Sequence, residues 1–125
     1  MSHTLMLIDD SLTARMTGRA VVQHACPDWT VLLAKDGDDA LTQAQDGAAA
    51  IDRFLVDVNL PGLNGTDLAE RLRLLFPAAG MAFMTANTQA HVREKAAELG
   101  MTVVGKPLTL EKFNALLAAG FTADV

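Results

Sequence analysis

The sequence predicts a single α/β domain: a doubly wound, five-stranded parallel sheet with helices on both faces. Three observations carry this. Five short apolar runs alternate with five longer amphipathic stretches. The runs are too short for helices and end in turn residues, whereas the stretches between them repeat apolar residues at helical spacing. The chain has 125 residues, half of them hydrophobic, which suits one domain with a substantial core. A regular strand–helix alternation is satisfied by parallel strands joined through helical crossovers.

The first run, Thr4 to Ile8, leads through "DDS" into a helix from Ser11 to Ala25. Gly18 stands in its middle, where glycine costs about 1 kcal/mol relative to alanine, so it is read as a close-packing position. The second run, Thr30 to Ala34, is followed by the turn "KDG" and a helix from Asp38 to Gln45. The third, Arg53 to Asp57, closes on Leu60-Pro61-Gly62. The helix after it, Gly65 to Phe76, has a stripe of Leu68, Leu72, Leu75 and Phe76, with Glu70, Arg71 and Arg73 off it and Pro77 as its stop. Gly80 to Met84 precedes a helix from Gln89 to Leu99, and Thr102 to Val104 precedes one from Thr109 to Ala119.

Composition narrows the function. Aromatic residues are few, so the core rests on Leu, Val, Ala and Met. A formal charge of −5 disfavours a nucleic-acid surface. The lone Cys26 excludes an internal disulfide and suits a reducing compartment. The opening "MSHTLML" lacks the basic and apolar regions of a signal peptide. No apolar run approaches the roughly 20 residues of a membrane span. The expectation is a cytoplasmic domain without nucleic-acid contact or membrane insertion.

Ligands of parallel α/β sheets bind beyond the carboxyl ends of the strands. Strand one ends in Asp9 and Asp10, strand three in Asp57, strand four in Thr85 and strand five in Lys106. Burying an ionised Asp57 needs a partner. Three carboxylates in one crevice repel one another and suit a hard cation such as Mg²⁺, which takes about six oxygens and usually binds one or two carboxylates plus phosphate oxygens. With that ion and Lys106 the formal charges of the cluster cancel. The Asn59 carbonyl, just past Asp57, can add another oxygen. A carboxylate can also act as a nucleophile and form an aspartyl-phosphate. Phosphoryl transfer asks mainly that the phosphoryl oxygens be held and neutralised, for which Lys106 and the Thr85 hydroxyl are suited.

Together, "IDDS", "FLVDVNLPGLNG", "MTAN" and "GKP" resemble the receiver domain of bacterial two-component response regulators, of the chemotaxis-regulator type. The resemblance runs from Thr4 to about Ala119. "AKDGDDAL" and Asp52, five residues before Asp57, fit it too. It implies a flavodoxin-like sheet of order 2-1-3-4-5 with the crevice between strands one and three. Residues 1–125 would form one receiver domain with no output domain. Asp57 would be the phospho-acceptor, charged by a sensor histidine kinase or a histidine phosphotransfer protein. Asp9 and Asp10 would be the acidic metal pair, Asp10 matching the direct ligand. Asp57 and the Asn59 carbonyl would complete the protein's share of the Mg²⁺ shell. Thr85 would be the switch hydroxyl and Lys106 the paired lysine, on a cis Lys106–Pro107 bond. Such a domain is a signalling switch and not an enzyme in the ordinary sense. One position departs from the pattern. Where the family often has Tyr or Phe, three residues before the lysine, this chain has Val103. A stiff valine cannot swing as a ring does, so the response is expected in the loop Ala86-Asn87-Thr88 and the start of the fourth helix, near His91 and Val92.

Plainer readings stand beside these. Asp9, Asp10 or Ser11 can cap the first helix, and Thr85 or Thr88 the fourth. Asp57 can close an Asx-turn. Asn59 and Asn87 can be turn residues or tune the life of a phosphate. His3, His24 and His91 have no ligand spacing and read as surface residues. Trp29 reads as a lid on the core edge, and Cys26 as inert packing. Other function classes fit less well. A phosphohydrolase of the haloacid-dehalogenase type also uses Asp, Thr or Ser and Lys, but its nucleophile follows strand one in a DxDx(T/V) pattern. A flavodoxin-like electron carrier would need a phosphate loop where "DDSLTAR" places two acids. A degenerate receiver that only docks partners would not need Asp9, Asp10, Asp57, Thr85 and Lys106 together.

Overall fold

A computed structural model describes residues 3–46, 50–87 and 89–121. Ten elements follow in strict alternation: β1 Thr4–Ile8, α1 Leu12–Ala25, β2 Thr30–Ala34, α2 Gly37–Asp46, β3 Arg53–Asp57, α3 Gly65–Leu75, β4 Gly80–Thr85, α4 Ala90–Leu99, β5 Thr102–Gly105 and α5 Leu110–Ala118. All pairings are parallel and the strand order is β2-β1-β3-β4-β5. The doubly wound sheet expected from the alternation is therefore present.

Alternation along the strands divides the core in two. Met6, Ile8, Phe54, Val56, Met81 and Phe83 point to one face and pack on α2, α3 and α4 through residues such as Ala40, Leu68, Leu72 and Val92. Leu5, Leu7, Leu55, Ala82 and Met84 point to the other and meet Val22, Phe113 and Leu116 of α1 and α5. Gly18 is a close-packing position as read: a Cβ there would lie 2.5 Å from Leu7 Cδ2.

The structure corrects several details. β4 runs on to Thr85 and β5 to Gly105, while the fourth and fifth helices begin one residue later than expected, behind Gln89 and Thr109 as N-caps. Leu75 is not on the buried stripe of α3. It is 50% exposed and Leu74 83% exposed, whereas Ala69 takes the buried place beside Leu68 and Leu72. Phe76 is the C-cap and packs on Phe54. The buried face of α3 is the one carrying Gly65, Leu68, Ala69 and Leu72, and Leu75, in the last turn, lies off it.

His3 is not a plain surface residue either. Its Nδ1 lies 2.9 Å from Asp52 Oδ2 and its ring meets Trp29 edge-on. Arg53, counted in the sequence as the edge of an apolar run, is 4% exposed. Its guanidinium sits 4.5 Å above the Trp29 ring, donates to the Phe121 carbonyl at 3.1 Å and pairs with Asp52 at 3.2 Å. Trp29 is a lid as expected, packed on Phe113 at the edge of the core. The expectations for Thr88 lie outside the described residues.

Candidate functional site

The carboxyl ends of β1, β3, β4 and β5 converge at one edge of the sheet. Asp9 follows β1 directly, held by its own backbone bond to Ala34, and Asp57 is the last residue of β3. Both are nearly sealed, at 1% and 2% exposure. Asp10 beside them is exposed. One carboxylate oxygen from each of Asp9, Asp10 and Asp57 lies within 4.8 Å of the others. An all-oxygen set of three carboxylates at this separation suits a hard divalent cation.

Lys106 reaches in from the end of β5. Its Nζ lies 2.8 Å from Asp9 Oδ2 and 3.3 Å from Asp57 Oδ2, and it keeps a quarter of its side chain exposed. The strand end is fixed by the Lys106 amide donating to the Thr85 carbonyl at 2.8 Å, and the Lys106–Pro107 peptide is cis, as the resemblance implied. Burial alone would lower the ammonium pKa. The bonds and charges of Asp9 and Asp57 outweigh it, so the pKa is raised and the lysine is held charged. The pKa of Asp57 is raised, first by burial and then by the negative charge of Asp9. The Asn59 amide and Lys106 pull the other way without cancelling that.

Several plain readings turn out to coexist with the sharp ones. Asp57 does close an Asx-turn, since the Asn59 amide donates to its Oδ1 at 3.1 Å, leaving Oδ2 toward the lysine. Ser11, not an aspartate, caps α1 by accepting from the Ala14 amide, while Asp9 Oδ1 accepts from the Ser11 amide. Thr85 is buried and does not cap α4. Its hydroxyl donates to the Asn87 carbonyl at 2.7 Å and accepts from the Asn87 amide at 3.2 Å. The switch hydroxyl of the sequence reading is thus engaged with its own loop. Asn59 and Asn87 are exposed, and Val103 is half-buried in β5 opposite Phe83, packed on the α4 side of the core.

Two features escaped the sequence reading. Gly65 is needed where α3 leaves the site: a Cβ there would collide with the Asp57 carbonyl and stand 2.7 Å from Val58 Cα. The Asn64-Gly65 pair, with Asn64 as the N-cap of α3, was the available signal. The second is a cavity of about 460 Å³ beside the carboxylates, lined by Asp9, Thr17, Gly18, Met84, Lys106 and Leu108 among others. It forms only when α1 and the β5–α5 loop meet, so no local pattern announces it.

Comparison with known proteins agrees with this geometry. The profile described as the response regulator receiver domain matches residues 5–118. The sensor histidine kinase RcsC of Salmonella typhi is 37% identical over 86 residues, 68% of this chain but 9% of that protein. The sensor protein EvgS of Escherichia coli K12 is 36% identical over 78 residues, 55% of this chain and 6% of that protein. The chain therefore spans less than a tenth of these relatives. Among solved structures, the chemotaxis protein CheY4 of Vibrio cholerae superposes with a TM-score of 0.84 at 24% identity, covering 95% of this chain and 98% of that one. A CheY-like receiver domain protein from Methanospirillum hungatei JF-1 gives 0.85 at 16% identity, covering 97% and 94%. With the profile spanning all five strands and the four strand ends gathered at one edge, the chain belongs to the response regulator receiver domain family.

Proposed function

We propose that this receiver domain, a signalling module and not an enzyme in its own right, is switched by phosphorylation of Asp57. The observation that carries the reading is the Asp57 carboxylate itself. It is almost completely buried, its Oδ1 is fixed by the Asn59 amide, and its Oδ2 faces the Lys106 ammonium. The donor is a phosphohistidine of a sensor histidine kinase or a histidine phosphotransfer protein. The phosphorus–nitrogen bond to the imidazole breaks, a phosphorus–oxygen bond to Asp57 forms, and the imidazole leaves with a proton from solvent. The cavity beside Asp9 and Lys106 offers the donor an approach.

The chain's own residues divide the work. Lys106 holds positive charge at the place where phosphoryl oxygens arrive. Asp9 keeps that ammonium in position through the shorter of its two bonds. The Thr85 hydroxyl can exchange the Asn87 carbonyl for a phosphoryl oxygen, which frees the loop that now holds it. Asp9, Asp10, Asp57 and the Asn59 carbonyl would hold Mg²⁺, and the carboxylate cluster fits it. A bound Mg²⁺ supplies the remaining neutralising charge for the phosphoryl oxygens. A cytoplasmic place of action goes with this donor and with the single cysteine. Among the described residues no helix is long and apolar enough to cross a membrane.

The test is intact-mass and peptide mass spectrometry after exposure to acetyl phosphate, with and without Mg²⁺. One added phosphate on Asp57 is expected, dependent on the cation and lost in Asp57→Asn. Equal labelling of that variant would overturn the assignment.

A further inference from the structure

The two ends of α4 are held very differently. At the carboxyl end, Arg73 of α3 spreads its guanidinium over five carbonyls. Nε donates to Leu99 at 2.9 Å and Nη2 reaches Gly100 at 3.5 Å, while Nη1 donates to Ala79 at 2.7 Å, Pro77 at 3.1 Å and Phe76 at 3.5 Å. One side chain therefore ties the last turn of α4 to the turn between α3 and β4. Only a planar, multiply donating group can do this, because a lysine ammonium has no such fork. Gly100 closes the same end in the left-handed conformation (φ 67°), and the Met101 amide caps Ala96 at 2.8 Å. One turn earlier, Lys95 pairs with Glu70 of α3 at 3.2 Å.

The amino end lacks such ties. The N-cap residue Gln89 makes no side-chain capping bond, and the first turn has no acidic residue to meet the helix dipole. Among the described residues, no side chain from Ala90 to Glu94 makes a hydrogen bond or ion pair, and Val92 alone of these is buried. This is also the end reached from the Thr85–Asn87 turn.

We propose that α4 works as a lever with Arg73 as its fulcrum: the carboxyl end stays pinned to α3, and the amino end moves when Thr85 releases its loop. Helices packed on a close-fitted core change by such discrete shifts and not by uniform deformation. The proposal rests on the phosphorylation reading for what drives the lever, but not for where it is pinned. Arg73 is a positioning residue, acting on α4 at a distance from Asp57.

The pinning is tested without any phosphoryl group, by amide hydrogen exchange of the free protein. Arg73→Gln should speed exchange of Leu99, Gly100 and Met101 by about tenfold or more while the β3 and β4 amides keep their rates. Arg73→Lys, which keeps the charge, should behave like Arg73→Gln, and Glu70→Gln should leave Leu99 to Met101 slow. The movement is tested by amide chemical shifts on adding beryllofluoride with Mg²⁺. In the wild type the changes should fall from Val92 toward Leu99, and in both Arg73 variants they should extend to Met101. Exchange that rises equally in helix and sheet would reduce Arg73 to general stability and overturn the fulcrum, as would unchanged exchange at Leu99 to Met101 or an even shift profile in the wild type. Silence of Val58 and Asn59 toward beryllofluoride would instead overturn the acceptor reading, and with it the force on the lever.

Discussion

Lys106 Nζ stands 3.3 Å from Asp57 Oδ2, near enough to pair but not near enough to offset the carboxylate's burial beside Asp9. The balance leaves Asp57 with a raised pKa, which links the site to folding. A carboxylate raised in the fold contributes stability while both states are protonated, and that contribution is lost as pH rises through the folded pKa. At neutral pH, metal-free Asp57 is therefore a destabilising group. Asp57→Asn should be more stable than the wild type at pH 7 without divalent cations, and the difference should shrink as pH falls toward the ordinary carboxylate range. Urea unfolding of both proteins at several pH values, in a chelator, measures this. A less stable Asn variant at pH 7 would contradict it.

Lys106→Ala removes the cation that two buried carboxylates share. The metal-free variant should lose about 1–3 kcal/mol, because Asp9 and Asp57 lose their charged donor while each keeps one backbone amide. Millimolar Mg²⁺ should recover part of that loss. Lys106→Arg should not restore a wild-type response to beryllofluoride, because a planar fork needs more room than an ammonium. Thermal unfolding with and without Mg²⁺ reads the first effect, and amide chemical shifts the second.

If the carboxylate cluster holds Mg²⁺ as proposed, the ion should raise the melting temperature of the wild type, because the open chain offers no such assembled site. At about 100 times its dissociation constant the gain is roughly 2.7 kcal/mol. Asp10 is exposed, so Asp10→Asn should cost little stability without metal while shrinking the gain from Mg²⁺. A titration monitored by thermal shift separates these two effects.

Gly65→Ala should be far more damaging than Gly18→Ala. At Gly65 the new methyl meets the backbone of Asp57 and Val58, which cannot yield without moving the site. At Gly18 it meets Leu7 Cδ2, the far end of a flexible side chain, and alanine favours a helix interior by about 1 kcal/mol. Chemical unfolding should rank the two, and only Gly65→Ala should also weaken the stabilisation by Mg²⁺.

Arg53→Ala should destabilise the pole of the sheet opposite the site by about 2–4 kcal/mol. It takes the side-chain donor from the Phe121 carbonyl, leaves Asp52 with His3 and the Thr4 amide alone, and removes the cation from the face of Trp29. Trp29 is the one tryptophan, so its fluorescence should report the change directly. Phosphorylation at Asp57 should survive in the fraction that remains folded.

What the sequence determined by itself was the alternation and what stands at the strand ends. Strands of five or so apolar residues, breakers and helical stripes are local patterns, and they placed every element to within a residue or two. Asp9, Asp57, Thr85 and Lys106 were legible for the same reason: each closes a strand or directly follows one, and parallel strands bring their carboxyl ends to one edge. Tertiary structure decided what each polar group is paired with. That the Thr85 hydroxyl is bonded to Asn87 depends on the path of a loop. That Arg53 is buried depends on Trp29 and Phe121 meeting it from sequence positions 24 and 68 residues away. That Arg73 spans the end of α4 depends on the packing of α3 against α4, and in the sequence it is only a charge beside a leucine stripe. Side-chain pairing across the chain is set by the three-dimensional closeness of elements, whereas periodicity records only which face of its own element a residue occupies.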